Sequence, residues 1–207
     1  MPRFNSGFNK RKQVVIENKE FIPNRDEFNS NKIDFDLSKR KEKEIIFFNE
    51  SVKSSITNSN LKFTNFISDH KQQNKINIIQ KFSDDLTLIK NRVTSLEYDS
   101  RMLSIFTLYL EVNTREVIKE NYLVKSDIRG PLETQDALRV YWFYDLEDEN
   151  IKIICMDPQH LVLPSKHNGK TKEQMKNETF NETVNSKKHC ISKYFQNKKS
   201  SNTIYIT

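Results

Sequence analysis

The chain has 207 residues, a mass of 24.6 kDa and a formal net charge of +6, which fits one domain with extensions and leaves little room for two. Hydrophobic residues make up 35% and charged residues 30%, with a mean hydropathy of -0.76, so the average position is too polar for the whole chain to pack as one core. Two cysteines and the lack of a long apolar segment argue against a disulfide-stapled secreted domain and a membrane span, and we expect a cytoplasmic protein without a membrane anchor.

The basic charge suits a partner rich in phosphate, because lysine and arginine release counterions when they bind nucleic acid. Only 9 of the 34 basic residues are arginine, and abundant lysine and asparagine is also a product of AT-rich coding. Both explanations of the charge stay open on the sequence alone.

Residues 1–43 combine isolated phenylalanines with lysine, arginine, asparagine and aspartate, and they follow neither a helical nor a strand period. This pattern predicts a disordered basic and aromatic arm.

Two stretches show helical spacing of apolar residues. Residues 41–56 carry apolar side chains at steps of three and four, which predicts a first helix: Ile45, Phe48, Val52 and Ile56. A second helix is predicted by a stripe with the spacing 3-4-3-4-3: Ile79, Phe82, Leu86, Ile89, Val93 and Leu96.

The second half of the chain has the patterns of a sheet. Residues 106–112 alternate in the manner of a strand, with a helix over residues 102–112 as the alternative, and residues 114–125 fit either a short helix or a return strand. Glycine and proline mark a turn within residues 127–136. Residues 138–145 and 151–156 are rich in β-branched and aromatic side chains and predict a β-hairpin, after which residues 157–164 should run extended at a sheet edge.

Residues 165–207 return to lysine, asparagine, threonine and glutamate, which predicts a largely disordered polar tail. The predicted fold class is α+β, with N-terminal helices packed on a C-terminal antiparallel β-sheet and disordered polar tails. The predicted single domain spans residues 44–164.

A glycine-rich phosphate-binding loop is not expected, because the sequence has three glycines and neither a GxxxxGKS/T nor a GxGxxG motif. His160 and His167 with Asp157 do not have the spacing of a known metal motif. We expect no metal and no cofactor.

The segment 138–145 brings arginine and aromatic rings together. Arginine can hold a phosphate and an aromatic ring can stack a base, so we predict a nucleic-acid-binding surface of Arg139, Trp142, Lys152 and Lys166. The alternative is that the aromatic residues form the core of a two-sided sheet and that Arg139 pairs with an aspartate or glutamate at its edge.

Helices followed by a sheet, with Arg-Gly-Pro-Leu at residues 129–132, Leu-Arg-Val-Tyr-Trp-Phe-Tyr-Asp at 138–145 and Ile-Lys-Ile-Ile-Cys-Met at 151–156, resemble the RelE/ParE/HigB-like toxin superfamily over residues 60–164. This resemblance implies a toxin-like, RNA-directed protein of a mobile element or a toxin-antitoxin system, acting as a metal-independent mRNA endoribonuclease. RNA or the ribosome, and an antitoxin, are the partners that it implies.

If the chain cleaves RNA, we expect His160 or Tyr141 to take part in proton transfer at the 2′-hydroxyl, and Arg139 and Arg129 to stabilise the charge that develops on the phosphate. The alternative function is that of a non-catalytic accessory protein that binds nucleic acid or another protein. A structural protein that self-associates through the predicted second helix is a third hypothesis.

Overall fold

The computed structural model describes residues 43–48, 50–97, 99–110, 122–130, 137–145, 150–186, 189–198 and 201–205. All of them belong to one compact unit, residues 39–207. The predicted N-terminal arm, apart from its last residue, lies outside this description.

The described residues form ten strands and three α-helices. The strands are β1 Lys43–Phe48, β2 Thr57–Asn58, β3 Phe63–Thr64, β4 Phe66–Ile67, β5 Val93–Ser95, β6 Tyr122–Arg129, β7 Ala137–Asp145, β8 Asn150–Asp157, β9 His189–Cys190 and β10 Ser201–Tyr205. The helices are α1 Gln72–Asp84, α2 Ser100–Phe106 and α3 Lys172–Ser186, with 3-10 helices at Glu50–Lys53, Asp69–Lys71, Leu86–Lys90 and Ile191–Tyr194.

Six strands form one mixed sheet in the order β10-β1-β8-β7-β6-β5. Strands β5 to β8 pair antiparallel, whereas β1 runs parallel to β8 and antiparallel to β10. The α+β class is confirmed. The expectation of N-terminal helices packed on an antiparallel sheet is wrong, because the described part of the chain begins with β1, its three α-helices lie between strands, and β1 runs parallel to β8.

The predicted hairpin is confirmed as β7 and β8, whose register pairs Tyr144 with Ile151 and Arg139 with Asp157. A register shift between Tyr141 and Trp142 marks a β-bulge. Both faces of β7 are covered: Tyr141 packs against Phe106 of α2 with ring centroids 5.4 Å apart, and α1 packs on β6 and β7.

The helix predicted over residues 41–56 is wrong. Its first part is β1, which pairs with β10 over residues 43–47 and with β8 over residues 46–48, and only Glu50–Lys53 has a short helical turn. Backbone pairing inside the sheet outweighs the helical spacing of the apolar residues, because a strand with a neighbour on each side satisfies its backbone hydrogen bonds and still buries Ile46 and Phe48.

The helix predicted over residues 79–96 is only partly correct. Helix α1 ends at Asp84, and Asp85 then caps a 3-10 helix by accepting a hydrogen bond from the Thr87 amide at 3.0 Å. The stripe continues into the core through Ile89, which is buried, but it crosses three separate elements.

Residues 100–106 form α2 and residues 107–109 form a turn, so the strand predicted over residues 106–112 is wrong for its described part, and the helical alternative is confirmed up to Phe106. The Asp99 carboxylate accepts a hydrogen bond from the Met102 amide at 2.7 Å and begins this helix. Residues 111–121 lie outside the described ranges, and β6 takes the return-strand alternative from Tyr122 onward.

The prediction of a disordered tail is wrong for much of residues 165–207. Thr171 and Gln174 form a reciprocal capping box at the start of α3, and Phe180 is buried on this helix. Further on, Phe195 is fully buried and contacts the rings of Phe48 and Phe82, so the C-terminal segment completes the core. The sequence pattern did not predict this packing, because apolar residues are sparse in residues 165–207.

Candidate anion-binding cleft

The loop after β8, residues 158–166, folds around the carboxylate of Asp157. This residue is fully buried, and its two oxygens accept hydrogen bonds from the amides of Leu161 and Val162, each at 2.8 Å. His160 has a φ of 59°, in the left-handed region that a non-glycine residue rarely adopts. The buried carboxylate therefore fixes a tight turn that carries His160.

Arg101 of α2 holds the same loop from its carbonyl side. Its guanidinium donates to the carbonyls of Val162 at 2.9 Å and of Leu161 and Leu61 at 2.8 Å. Burial lowers the pKa of this guanidinium, and the nearby charges of Asp157 and Asp99 oppose that shift. Arg101 thus ties the loop to two distant parts of the fold.

Arg139 of β7 makes the third set of contacts with the loop. Its Nη1 donates to the carbonyl of Leu163 at 2.5 Å, and its Nη2 lies 3.5 Å from the hydroxyl of Ser165. Its Nε lies 3.6 Å from a carboxylate oxygen of Asp127, its cross-strand neighbour. The alternative in which Arg139 pairs with an acidic residue at the sheet edge is confirmed.

Two clefts open on either side of this loop. The first cleft, of about 420 Å³, lies between the loop, α1 and α3, and its charged or ionisable lining residues are His70, Lys75, Arg139, His160, Lys166, His167, Lys176 and Glu182. The second cleft, of about 570 Å³, has as its charged lining residues Asp99, Arg101, Lys125, Arg139, Lys166, Lys172, Glu173 and Lys176. Their shared residues, Arg139, Pro164, Ser165, Lys166 and Lys176, show that the two clefts adjoin.

A buried lysine sits at the base of the first cleft. Lys75 is only 3% exposed, and its ammonium donates to the carbonyl of Ala137 at 3.1 Å. The Nε2 atom of His160 lies 2.9 Å from the same carbonyl oxygen. One carbonyl at the start of β7 therefore holds two ionisable side chains close together.

This environment keeps His160 neutral at physiological pH. Burial lowers the pKa of its imidazole to about 4, and the positive charges of Arg139 and Lys75 add to that effect, while Asp157 opposes it. Because a carbonyl oxygen only accepts, Nε2 must carry the ring hydrogen, and Nδ1 is then an acceptor.

The outer cations of the clefts are held less firmly. Lys176 forms an ion pair with Glu173 at 2.6 Å, whereas Lys166 and Lys172 are exposed and make no ion pair with any described residue. Glu182, on the rim of the first cleft, lies 3.2 Å from His70. Two lysines are thus available to a ligand.

The structure brings together three of the residues that the sequence suggested: Arg139, His160 and Lys166 all line the first cleft. Arg129 ends β6 opposite Ala137 and is not among the residues that line either cleft. Lys152 lies on β8 and forms an ion pair with Asp145, so it belongs to a different part of the sheet.

Tyr141 and Trp142 lie in the core. Tyr141 is fully buried, and burial raises the pKa of its hydroxyl well above the usual value, so this hydroxyl is out of reach of a substrate in solution. The indole of Trp142 donates to the hydroxyl of Ser126 at 2.7 Å, and Ser126 in turn donates to the carbonyl of Ile89. Neither ring can stack on a base.

The sequence reasoning missed Lys75 and Arg101. Lys75 has a detectable signal, because it lies three and four residues before Ile78 and Ile79 on the apolar stripe of α1. A lysine on the buried face of a helix needs a specific partner. Arg101 has no such signal, since its three acceptors come from positions that are distant in sequence.

No family model, curated protein or solved structure matches the chain. Within the described ranges, no group of three or more histidine, cysteine, aspartate or glutamate side chains is placed to hold a metal ion. No helix among the residues that the structure describes is long and apolar enough to cross a membrane.

Proposed function

We propose that this protein binds a nucleic-acid strand through the phosphates of its backbone, which lie along the two adjoining clefts. The observation that carries the proposal is the convergence of cations from four separate elements. Lys75 of α1, Arg139 of β7, Lys166 of the loop and Lys176 of α3 all line the first cleft. Such a concentration of positive charge is the usual footprint of a polyanion.

The charge balance of the clefts supports a ligand that carries several negative charges. Among the residues that the structure describes, seven lysine or arginine side chains and three carboxylates line the two clefts together. The clefts also adjoin at the segment 164–166, so a ligand can run from one to the other without leaving the basic surface. A chain of phosphates fits this arrangement better than a single small anion.

The test is the affinity of the full chain for a fluorescent single-stranded oligonucleotide, measured by anisotropy. The double variant Lys166→Ala/Lys172→Ala removes the two exposed cations that make no ion pair with a described residue. The matched control, Lys81→Ala/Lys193→Ala, removes the same charge from exposed lysines that line neither cleft. We expect the first variant to bind more weakly, and the slope of its log affinity against log salt concentration to fall in magnitude by roughly one per lysine. We expect the control to bind like the wild type. Equal losses in both variants would contradict the proposal.

A toxin-like endoribonuclease is the second candidate function, and the neutral imidazole of His160 favours it. In that mechanism Nδ1 of His160 takes the proton of the 2′-hydroxyl as its oxygen bonds to phosphorus, and Arg139 stabilises the charge on the phosphate. The bond from phosphorus to the 5′-oxygen breaks, and the leaving 5′-oxygen takes a proton from water. Induced expression of the wild type and of His160→Gly in a bacterial host, followed by growth and total RNA integrity, separates the two functions. Arrest with RNA loss in the wild type alone supports the enzyme, and normal growth of both supports the binding protein.

A further inference from the structure

The ring of His160, which lines the first cleft, has a hydrogen-bond acceptor without a partner among the described residues. Its Nε2 is committed to the Ala137 carbonyl at 2.9 Å. Its Nδ1 makes no hydrogen bond to a described residue and is not among the fully buried polar atoms that lack a partner. Nδ1 is therefore not fully buried, and it belongs to a residue that lines the cleft.

Positively charged side chains line the cleft together with this acceptor. The lysine and arginine side chains beside it, Lys75, Arg139 and Lys166, carry donors only. The carboxylate of Glu182, which also lines the cleft, already faces His70 at 3.2 Å. A ligand that satisfies the site must offer a hydrogen-bond donor close to its negative charge.

We propose that His160 is a specificity-determining residue whose Nδ1 accepts a hydrogen bond from the ribose 2′-hydroxyl, so that the cleft selects a ribonucleotide strand over a deoxyribonucleotide strand. The inference rests on the proposed function, since it names the sugar of the strand that the clefts bind. A ribonucleotide carries a hydroxyl donor beside each phosphate, and a deoxyribonucleotide carries none at that position. A deoxyribonucleotide strand would cover Nδ1 and leave it without a partner.

Protonation does not remove this acceptor near neutral pH. The pKa of His160, about 4, leaves the ring neutral there, and the Ala137 carbonyl fixes which nitrogen carries the hydrogen. The fold therefore keeps Nδ1 as an acceptor although basic residues surround it.

The experiment measures, by fluorescence anisotropy, the affinity of the full chain for three labelled oligouridine strands of about ten nucleotides. The strands carry ribose, 2′-deoxyribose or 2′-O-methylribose. The methyl ether accepts hydrogen bonds but donates none, so it reports on the donor alone. We expect the ribose form to bind about threefold to tenfold more tightly than either analogue, which is the range for one net hydrogen bond.

Two variants assign the preference to the proposed atom. His160→Gly suits the left-handed backbone at this position and removes the ring, so we expect it to bind all three strands with nearly equal affinity. His167→Gly removes an exposed ring from the same cleft and should keep the preference of the wild type.

The ligand series on the wild type needs no variant to fold, and its outcomes are separable. Equal binding of the ribose and deoxy forms, or a preference that survives in His160→Gly, would overturn the assignment of His160 while leaving the proposed function intact. Failure of all three strands to bind at low salt would overturn both.

Discussion

The middle and the beginning of β7 differ in how the fold uses them. In the middle, Tyr141 is fully buried and packs on the ring of Phe106. Two residues earlier, Arg139 is part of a polar network that holds the loop after β8. Apolar packing stabilises the first region, and hydrogen bonds to charged groups stabilise the second. Substitutions in the two regions should therefore change the free energy of unfolding for different reasons.

The difference also separates stability from binding. The middle of β7 gains from apolar burial and has no surface to offer a ligand. The beginning keeps cations close together at the edge of a cleft, which costs stability unless hydrogen bonds or a bound anion offset it. The aromatic residues of this strand therefore support the fold, whereas its arginine supports the candidate site.

The largest effect is expected at Asp157, which anchors the polar region. Asp157→Ala leaves the Leu161 and Val162 amides without their acceptor and removes a negative charge that favours the Arg101 cation. We expect a loss of about 3–5 kcal/mol in the free energy of unfolding, measured by urea denaturation. Asp157→Asn, which keeps one carbonyl oxygen, should lose clearly less, and a loss below about 1 kcal/mol in the alanine variant would show that the loop does not depend on this residue.

A comparable loss is expected when the apolar region is disrupted. Phe106→Ala removes a fully buried ring that contacts Tyr141, and should cost about 3–5 kcal/mol of unfolding free energy. The affinity of the folded fraction for an oligonucleotide should stay at the wild-type value, because Phe106 lines neither cleft. A selective loss of affinity would break the separation between the two regions.

The pH dependence of stability comes next in size and reports on His160. The ordinary pKa of 6.5 falls to about 4 in the folded protein, so the unfolded chain takes up a proton first as the pH falls. The contribution of this pKa shift to the free energy of unfolding is present above about pH 6.5 and is lost between pH 6.5 and 4. Its upper limit is about 3 kcal/mol, because partial exposure of the ring reduces the effect. Denaturation of the wild type and of His160→Gly over this range measures it. Parallel curves for the two proteins would contradict the pKa shift.

A small effect is expected for Tyr141→Phe. The Tyr141 hydroxyl is buried and has no hydrogen-bond partner among the described residues, so its removal leaves no other group unsatisfied. The unfolding free energy of the variant should stay within about 1 kcal/mol of the wild-type value in urea denaturation. If the chain proves to cleave RNA, this variant should cleave at the wild-type rate. A large drop in the cleavage rate would show that the Tyr141 hydroxyl takes part in catalysis.

The hairpin of β7 and β8 could be predicted from the sequence because its signals are local. Dense β-branched and aromatic residues on both sides of an acidic turn specify a strand pair without help from the rest of the chain. Strand β1 and helix α3 could not be predicted in the same way. The first takes its conformation from pairing with β8 and β10, and the second has few buried residues beyond Phe180.

The candidate site could be predicted only in part. The sequence predicts Arg139 and Lys166 as nucleic-acid-binding residues and His160 as a proton-transfer residue, and all three line one cleft. Alternation along β7 could not show that both faces of the strand are covered. Tyr141 was therefore predicted as a proton-transfer residue and Trp142 as a nucleic-acid-binding residue, although both are buried in the core. The contribution of Lys75 depends on how α1 lies against β7, and local sequence does not contain that information.

The most direct test of the central claim is the salt dependence of oligonucleotide affinity for the full chain. If the clefts contact roughly four phosphates of a single strand, the slope of log affinity against log salt concentration should be about -3. In Lys166→Ala/Lys172→Ala the slope should become shallower, and in Lys81→Ala/Lys193→Ala it should not change. Affinity that is indifferent to salt, or no binding at low ionic strength, would contradict the account of the clefts as a phosphate-binding surface.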